Sequence, residues 1–121
     1  MRVTDNLKRG TVELLLLTLL QEEDMYGYQL VQLLAERTGN RFTLQEGSLY
    51  PILYRLAEKG CVTDRQELVG KRRTRVYYHL EPAGREYLAQ LRREYFQIHE
   101  GIMMLLNSSA GGVESDEPAF T

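Results

Sequence analysis

Residues 69–75 read Val-Gly-Lys-Arg-Arg-Thr-Arg, which places Lys71, Arg72, Arg73 and Arg75 within five positions. Four like charges this close repel one another, and nothing in a fold requires them at a turn. A polyanion relieves that repulsion, so the segment suits the phosphates of a nucleic acid. A solvated loop is the bland alternative. A second set lies at residues 45–55, where Gln45, Ser48, Tyr54 and Arg55 fall off an apolar stripe. Short polar groups and a guanidinium on one helix face can read base edges in a major groove: arginine pairs with guanine, and serine takes either a base or a phosphate. Tyr50 suits either a phosphate contact or the fixing of that helix. Other chemistries find no support. His79 and His99 stand 20 positions apart, Cys61 is the single cysteine, and no metal-ligand spacing, nucleophile elbow or phosphate-binding glycine loop occurs. The expectation is no catalytic residue, no metal and no cofactor.

Several elements must position these side chains. Leu49, Ile52, Leu53 and Leu56 recur at i, i+3, i+4 and i+7, which predicts a helix over residues 45–59 with Pro51 near its first turn and Gly60 ending it. Two helices precede it, over residues 10–22 with Leu15, Leu16, Leu19 and Leu20 inward, and over residues 26–37 with Leu30, Val31 and Leu34 inward. Asp24 is the expected N-cap of the second. Residues 41–44 read as a short bridging strand. After Gly60 the period falls to two. Residues 61–68 and 75–80 are then strands, and the cations sit in the turn between them. Pro82 opens a last helix over residues 82–107. On it Leu88, Leu91, Tyr95, Ile98, Ile102 and Leu105 step by 3, 4, 3, 4 and 3, the seam of a coiled coil. Such a helix is about 39 Å long at 1.5 Å per residue, too long for so small a domain to cover. The seam is therefore read as a homodimer interface, with packing on helix one as the alternative.

Bulk properties agree with this reading. The 121 residues allow one small domain with 43% hydrophobic and 26% charged residues, an ordinary globular balance. The formal charge of −2 becomes +1 once Glu114, Asp116 and Glu117 of the last segment are set aside. Within residues 61–80, Arg65 adds to the four hairpin cations against only Asp64 and Glu67. No apolar run is long enough to span a bilayer, and the first ten residues lack a signal-peptide core, so a cytoplasmic protein is expected. The expected organisation is a winged-helix domain over residues 1–81, a dimerisation helix over 82–108 and a disordered acidic tail over 109–121.

Helix, helix, short strand, helix and basic hairpin is the order of a winged helix-turn-helix, a mainly α fold with a small β-hairpin. Within it, Tyr26-Gly27-Tyr28-Gln29-Leu30, Glu46-Gly47-Ser48-Leu49-Tyr50-Pro51, Arg55-Leu56-Ala57-Glu58-Lys59-Gly60, Tyr77-Tyr78-His79-Leu80 and Gly84 follow in order. In wording and spacing, residues 8–106 resemble the PadR family of bacterial transcriptional regulators, in its short form with a single C-terminal helix. The resemblance implies a dimer built through the first and last helices. It also implies binding to a palindromic double-stranded operator through helix three and the wing, and repression relieved by a small molecule. Departures exist: the family often has Arg at the position of His79 and Thr at that of Glu81. Some relatives hold flat aromatic drugs with tryptophan on the last helix. This chain has none, which leaves Tyr95, Phe96 and Met103 as the candidate effector contacts. The competing reading is a winged-helix module that binds protein rather than DNA.

Overall fold

The computed structural model describes residues 10–109; the tail expected over residues 109–121 lies outside them except for Ser109. The chain forms two compact units, divided between Ala89 and Gln90. The first holds helix α1 (Val12–Glu22), strand β1 (Met25–Tyr26), helix α2 (Gly27–Arg37), helix α3 (Glu46–Glu58), strands β2 (Val62–Leu68) and β3 (Thr74–Leu80), and the start of helix α4 (Pro82–Ser108). The second holds the rest of α4. The fold is mainly helical, with one small antiparallel sheet in the order β1-β3-β2.

Leucines build the core. Leu16, Leu17 and Leu20 of α1, Leu30 of α2, and Leu49, Leu53 and Leu56 of α3 are at most 2% exposed. Burying one such side chain stabilises the fold by about 1.5–3 kcal/mol relative to leaving it in water. Leu15, expected inside, is only half-buried, because Leu17 takes the inward position. Val31 and Ile52 are likewise half-buried at the margins of their stripes. Pro51 is the sixth residue of α3, in its second turn rather than its first, so the missing N–H removes one helical bond. Gly60, at φ +76°, ends the helix in the left-handed conformation that favours glycine.

The third strand is not where the sequence suggests. Residues 41–44 form no strand, because the end of α2 folds back on itself. The Thr38 hydroxyl donates to the Leu34 carbonyl and accepts from the Phe42 N–H, and the Arg41 N–H donates to the Thr38 carbonyl. Met25–Tyr26 takes the sheet edge instead, pairing Met25 with Tyr78 and Tyr26 with Tyr77. Strand β2 pairs with β3 from Val62↔Leu80 to Leu68↔Thr74. The Val69 N–H then donates to the Arg73 carbonyl at 2.8 Å and closes the wing turn.

The base of α4 is fixed tightly. The Glu81 N–H donates to the Cys61 carbonyl at 2.9 Å, and Gly84 is buried against that same peptide. The Tyr87 hydroxyl donates to Glu13 Oε1 at 2.7 Å and accepts from Lys59 Nζ at 3.3 Å, which ties α1, the end of α3 and α4 together. Leu88, expected on the partner seam, is 1% exposed within the first unit. It belongs to the core of the first unit, so the part of the expected seam left outside that core starts at Leu91.

Candidate nucleic-acid interface

Helix α3 turns its leucines inward and leaves Gln45, Ser48, Tyr54 and Arg55 exposed. Gln45 is its N-cap residue in extended conformation, without a side-chain capping bond. Ser48 follows within the first turn, and Tyr54 and Arg55 lie two turns on. Tyr50 differs from these. Its hydroxyl donates to Glu46 Oε2 at 3.0 Å, across one helical turn. The same hydroxyl rests against Gly27 at the start of α2, where a Cβ would meet it at 2.6 Å. Only glycine allows that approach, so Tyr50 pins α3 to α2. Partial burial and the neighbouring Glu46 push the pKa of the phenol above its ordinary value. The hydroxyl therefore stays protonated and donating at neutral pH.

The wing presents Lys71, Arg72 and Arg73 exposed at its turn. Arg75, on β3, lies over the Tyr26 ring at 4.3 Å. Tyr26 in turn packs edge-on to Tyr77 at 5.4 Å, and Arg65 lies over the Tyr77 ring at 5.4 Å. Arg65 also donates to Asp24 and to Glu67. A ladder of two rings with a cation at each end therefore runs along the outer face of the sheet, consistent with β3 turning Arg75, Tyr77 and His79 to one side and Val76, Tyr78 and Leu80 to the other. Tyr78, on the inner side, is buried.

Two sequence expectations change here. Asp24 does not cap α2, whose N-cap is Tyr26 with no side-chain bond. Asp24 instead accepts from Arg65 and lies 2.8 Å from His79 Nδ1. Partial desolvation acts to raise its pKa, but the hydrogen bonds and charges of His79 and Arg65 together hold it below the usual aspartate value. Arg65 is also not a free cation of the hairpin, because Asp24 and Glu67 both pair with it. Among the described residues of the hairpin, the cations outside any ion pair are Lys71, Arg72, Arg73 and Arg75.

A cleft of about 560 Å³ joins these parts. Tyr26 and Tyr28 line it from the start of α2, Glu46 and Tyr50 from α3, and Arg73 and Arg75 from the wing. Glu46 was not among the residues singled out from sequence. The Glu46–Tyr50 spacing of i, i+4 was the signal available. Among the described residues no group of His, Cys, Asp and Glu is arranged to hold a metal ion. Cys61 is buried, and its thiol is pushed up by burial.

In the second unit, Tyr95, Ile98, Ile102 and Leu105 are exposed, Ile98 at 63% and Leu105 at 70%. Leu91 and Met103 are half-buried. Tyr95 packs edge-on to Phe96 at 5.4 Å and stacks on His99 at 5.9 Å. Among the described residues no helix is long and apolar enough to cross a membrane.

Comparison with known proteins places this geometry. Residues 16–90 match the model of the transcriptional regulator PadR-like family. Transcriptional regulator Rv3488 of Mycobacterium tuberculosis is 33% identical over 104 residues, covering 86% of this chain and 94% of its own length. A crystal structure of a PadR family transcriptional regulator from Eggerthella lenta superposes with a TM-score of 0.76 at 29% identity, covering 86% of this chain and 88% of that one. Bacillus subtilis PadR, solved in complex with operator DNA, shares the fold at a TM-score of 0.62 and 23% identity, over 68% of this chain and 45% of that one.

Proposed function

This chain belongs to the PadR-like family of transcriptional regulators, which are not enzymes, and from that membership we propose that it is a sequence-specific repressor. It binds double-stranded operator DNA as a homodimer. The observation that carries this reading is the shared cleft: the N-terminal turn of α3 and the cationic wing border one concave surface. A recognition helix enters the major groove through its N-terminal residues, and a cationic hairpin beside it meets the flanking phosphates. Gln45, Ser48, Tyr54 and Arg55 face base edges, with Tyr50 at the helix start. Lys71, Arg72, Arg73 and Arg75 neutralise the backbone. The complex of Bacillus subtilis PadR with operator DNA supports the choice of partner.

Residues 1–81 act as the DNA-binding domain and 82–108 as the dimerisation helix, in a cytoplasmic protein. The exposed row Tyr95, Ile98, Ile102 and Leu105, with Leu91 at its start, supports pairing between two copies. A two-fold dimer matches a palindrome with half-sites about 10 bp apart, centre to centre. An effector held near Tyr95, Phe96 and Met103 releases the DNA if it favours a different spacing of the two recognition helices.

Salt titration tests the DNA reading. Each neutralised phosphate contributes about 0.9 to the slope of log affinity against log salt. Replacing Lys71, Arg72 and Arg73 with alanine is expected to flatten the slope by up to about 2.7 per protomer. From about 50 to 200 mM salt, each intact wing then adds a loss of about 40-fold in affinity over a stripped one, a factor that is squared for the two wings of a dimer. Parallel slopes would remove the wing from the mechanism. Absence of binding to any duplex at low salt would overturn the function.

A further inference from the structure

Glu46 is an acid on a surface whose other charged groups in the cleft, Arg73 and Arg75, are cations. A carboxylate facing phosphates costs affinity for every sequence. Its presence on the first turn of α3, where it also holds the Tyr50 hydroxyl, is offset on DNA if it meets a base-edge donor, a contact that depends on sequence. The side chain is exposed yet oriented: Oε2 accepts from the Tyr50 hydroxyl at 3.0 Å, and that hydroxyl is itself seated on Gly27. Among the described residues no other hydrogen bond or ion pair reaches Glu46, so Oε1 is available as an acceptor.

A carboxylate only accepts hydrogen bonds, so in a major groove it seeks the two donors presented there, cytosine N4 and adenine N6. Beside adenine N6 stands N7, an acceptor that repels a second acceptor. Cytosine offers its amino group without that neighbour. We infer that Glu46, positioned by Tyr50, is a specificity-determining residue that reads a cytosine in each half-site. This rests on the DNA-binding reading and adds to it the identity of one contacted base.

The test uses the full chain. Bound duplexes are selected from a random pool with the wild-type protein, and the affinity of every single-base variant of the recovered half-site is measured at one fixed salt concentration. The same series is repeated with Glu46→Gln and Tyr50→Phe, with random-sequence duplex as the non-specific reference. Glu46→Gln is expected to lose about tenfold of discrimination at a single C·G pair per half-site, the scale of one base-edge contact. It should bind random duplex as well as the wild type or better, having shed a negative charge. Tyr50→Phe keeps its ring on Gly27 and is expected to weaken preference at that same pair. An unchanged Glu46→Gln profile overturns the inference alone, as does a loss spread evenly over all sequences or a half-site without a preferred cytosine. A wild-type protein that binds no duplex overturns the DNA-binding reading and this inference with it.

Discussion

Replacing Gly27 with alanine probes the joint between α2 and α3 directly. The added Cβ would lie 2.6 Å from Tyr50 Oη, 3.1 Å from Cζ and 3.3 Å from Cε1. All three are inside ordinary van der Waals contact. The phenol is rigid but half-exposed, so the ring swings outward rather than deforming the backbone. That swing sacrifices the bond to Glu46, about 1 kcal/mol, and part of the ring's packing. Overpacking of this kind costs about 1–3 kcal/mol, offset in part by alanine's better helix propensity. A net loss of about 1–2 kcal/mol is expected, or a Tm lower by about 4–15 °C for a domain of this size. In a Tyr50→Phe background the closest atom is gone while the ring carbons at 3.1 and 3.3 Å remain, and the same Gly27→Ala change should cost clearly less than in the wild type. Urea melts of the four proteins in this double-mutant cycle measure the coupling. If Gly27→Ala costs the same with and without the Tyr50 hydroxyl, or stabilises the wild type, the pinning argument is wrong.

Other expectations follow from the same contacts. Gly84→Ala should be more damaging, because its Cβ would fall 2.6 Å from Leu80 Cδ1 and closer still to the Cys61 carbonyl oxygen, which is backbone and has little room to retreat. A loss above about 3 kcal/mol in urea melts is expected, whereas Gly101→Ala, with open space around it, should be neutral or stabilising by up to about 1 kcal/mol. Asp24 has a lowered folded pKa, so its contribution is complete above the ordinary aspartate value near 4 and is lost as pH falls through the folded value. Thermal melts of Asp24→Asn should therefore show lower stability at neutral pH and a weaker fall on the acid side. Ile98→Asp with Ile102→Asp should convert a species of about 28 kDa to one of about 14 kDa in sedimentation, since aspartate cannot be buried on a paired seam. A wild-type chain that is already monomeric at micromolar concentration would refute the dimer.

Much of the framework was legible because its signals are local and repeated. Leu49, Leu53 and Leu56 mark α3 by spacing alone, and the change of period after Gly60 marks the wing. What escaped depends on residues distant in the chain. Met25–Tyr26 is too short to show a period, and its strand exists only because β3 is there to pair with it. Asp24 reads as a cap because sequence offers only its neighbours, whereas its partners Arg65 and His79 stand 41 and 55 positions away. The same pairing removes Arg65 from the apparent charge of the hairpin. Leu88 fits the heptad pattern as well as Ile98 does. Burial separates them, since Leu88 lies inside the first unit and Ile98 in open water.

The ring-and-guanidinium ladder from Arg65 through Tyr77 and Tyr26 to Arg75 has a thermodynamic corollary for docking. A hairpin whose strands are already clasped has less freedom left to surrender when it meets a duplex. The ordering entropy that a floppy arm forfeits on contact has been settled during folding. Calorimetry on the wing side should accordingly register little of the heat-capacity signature of coupled folding.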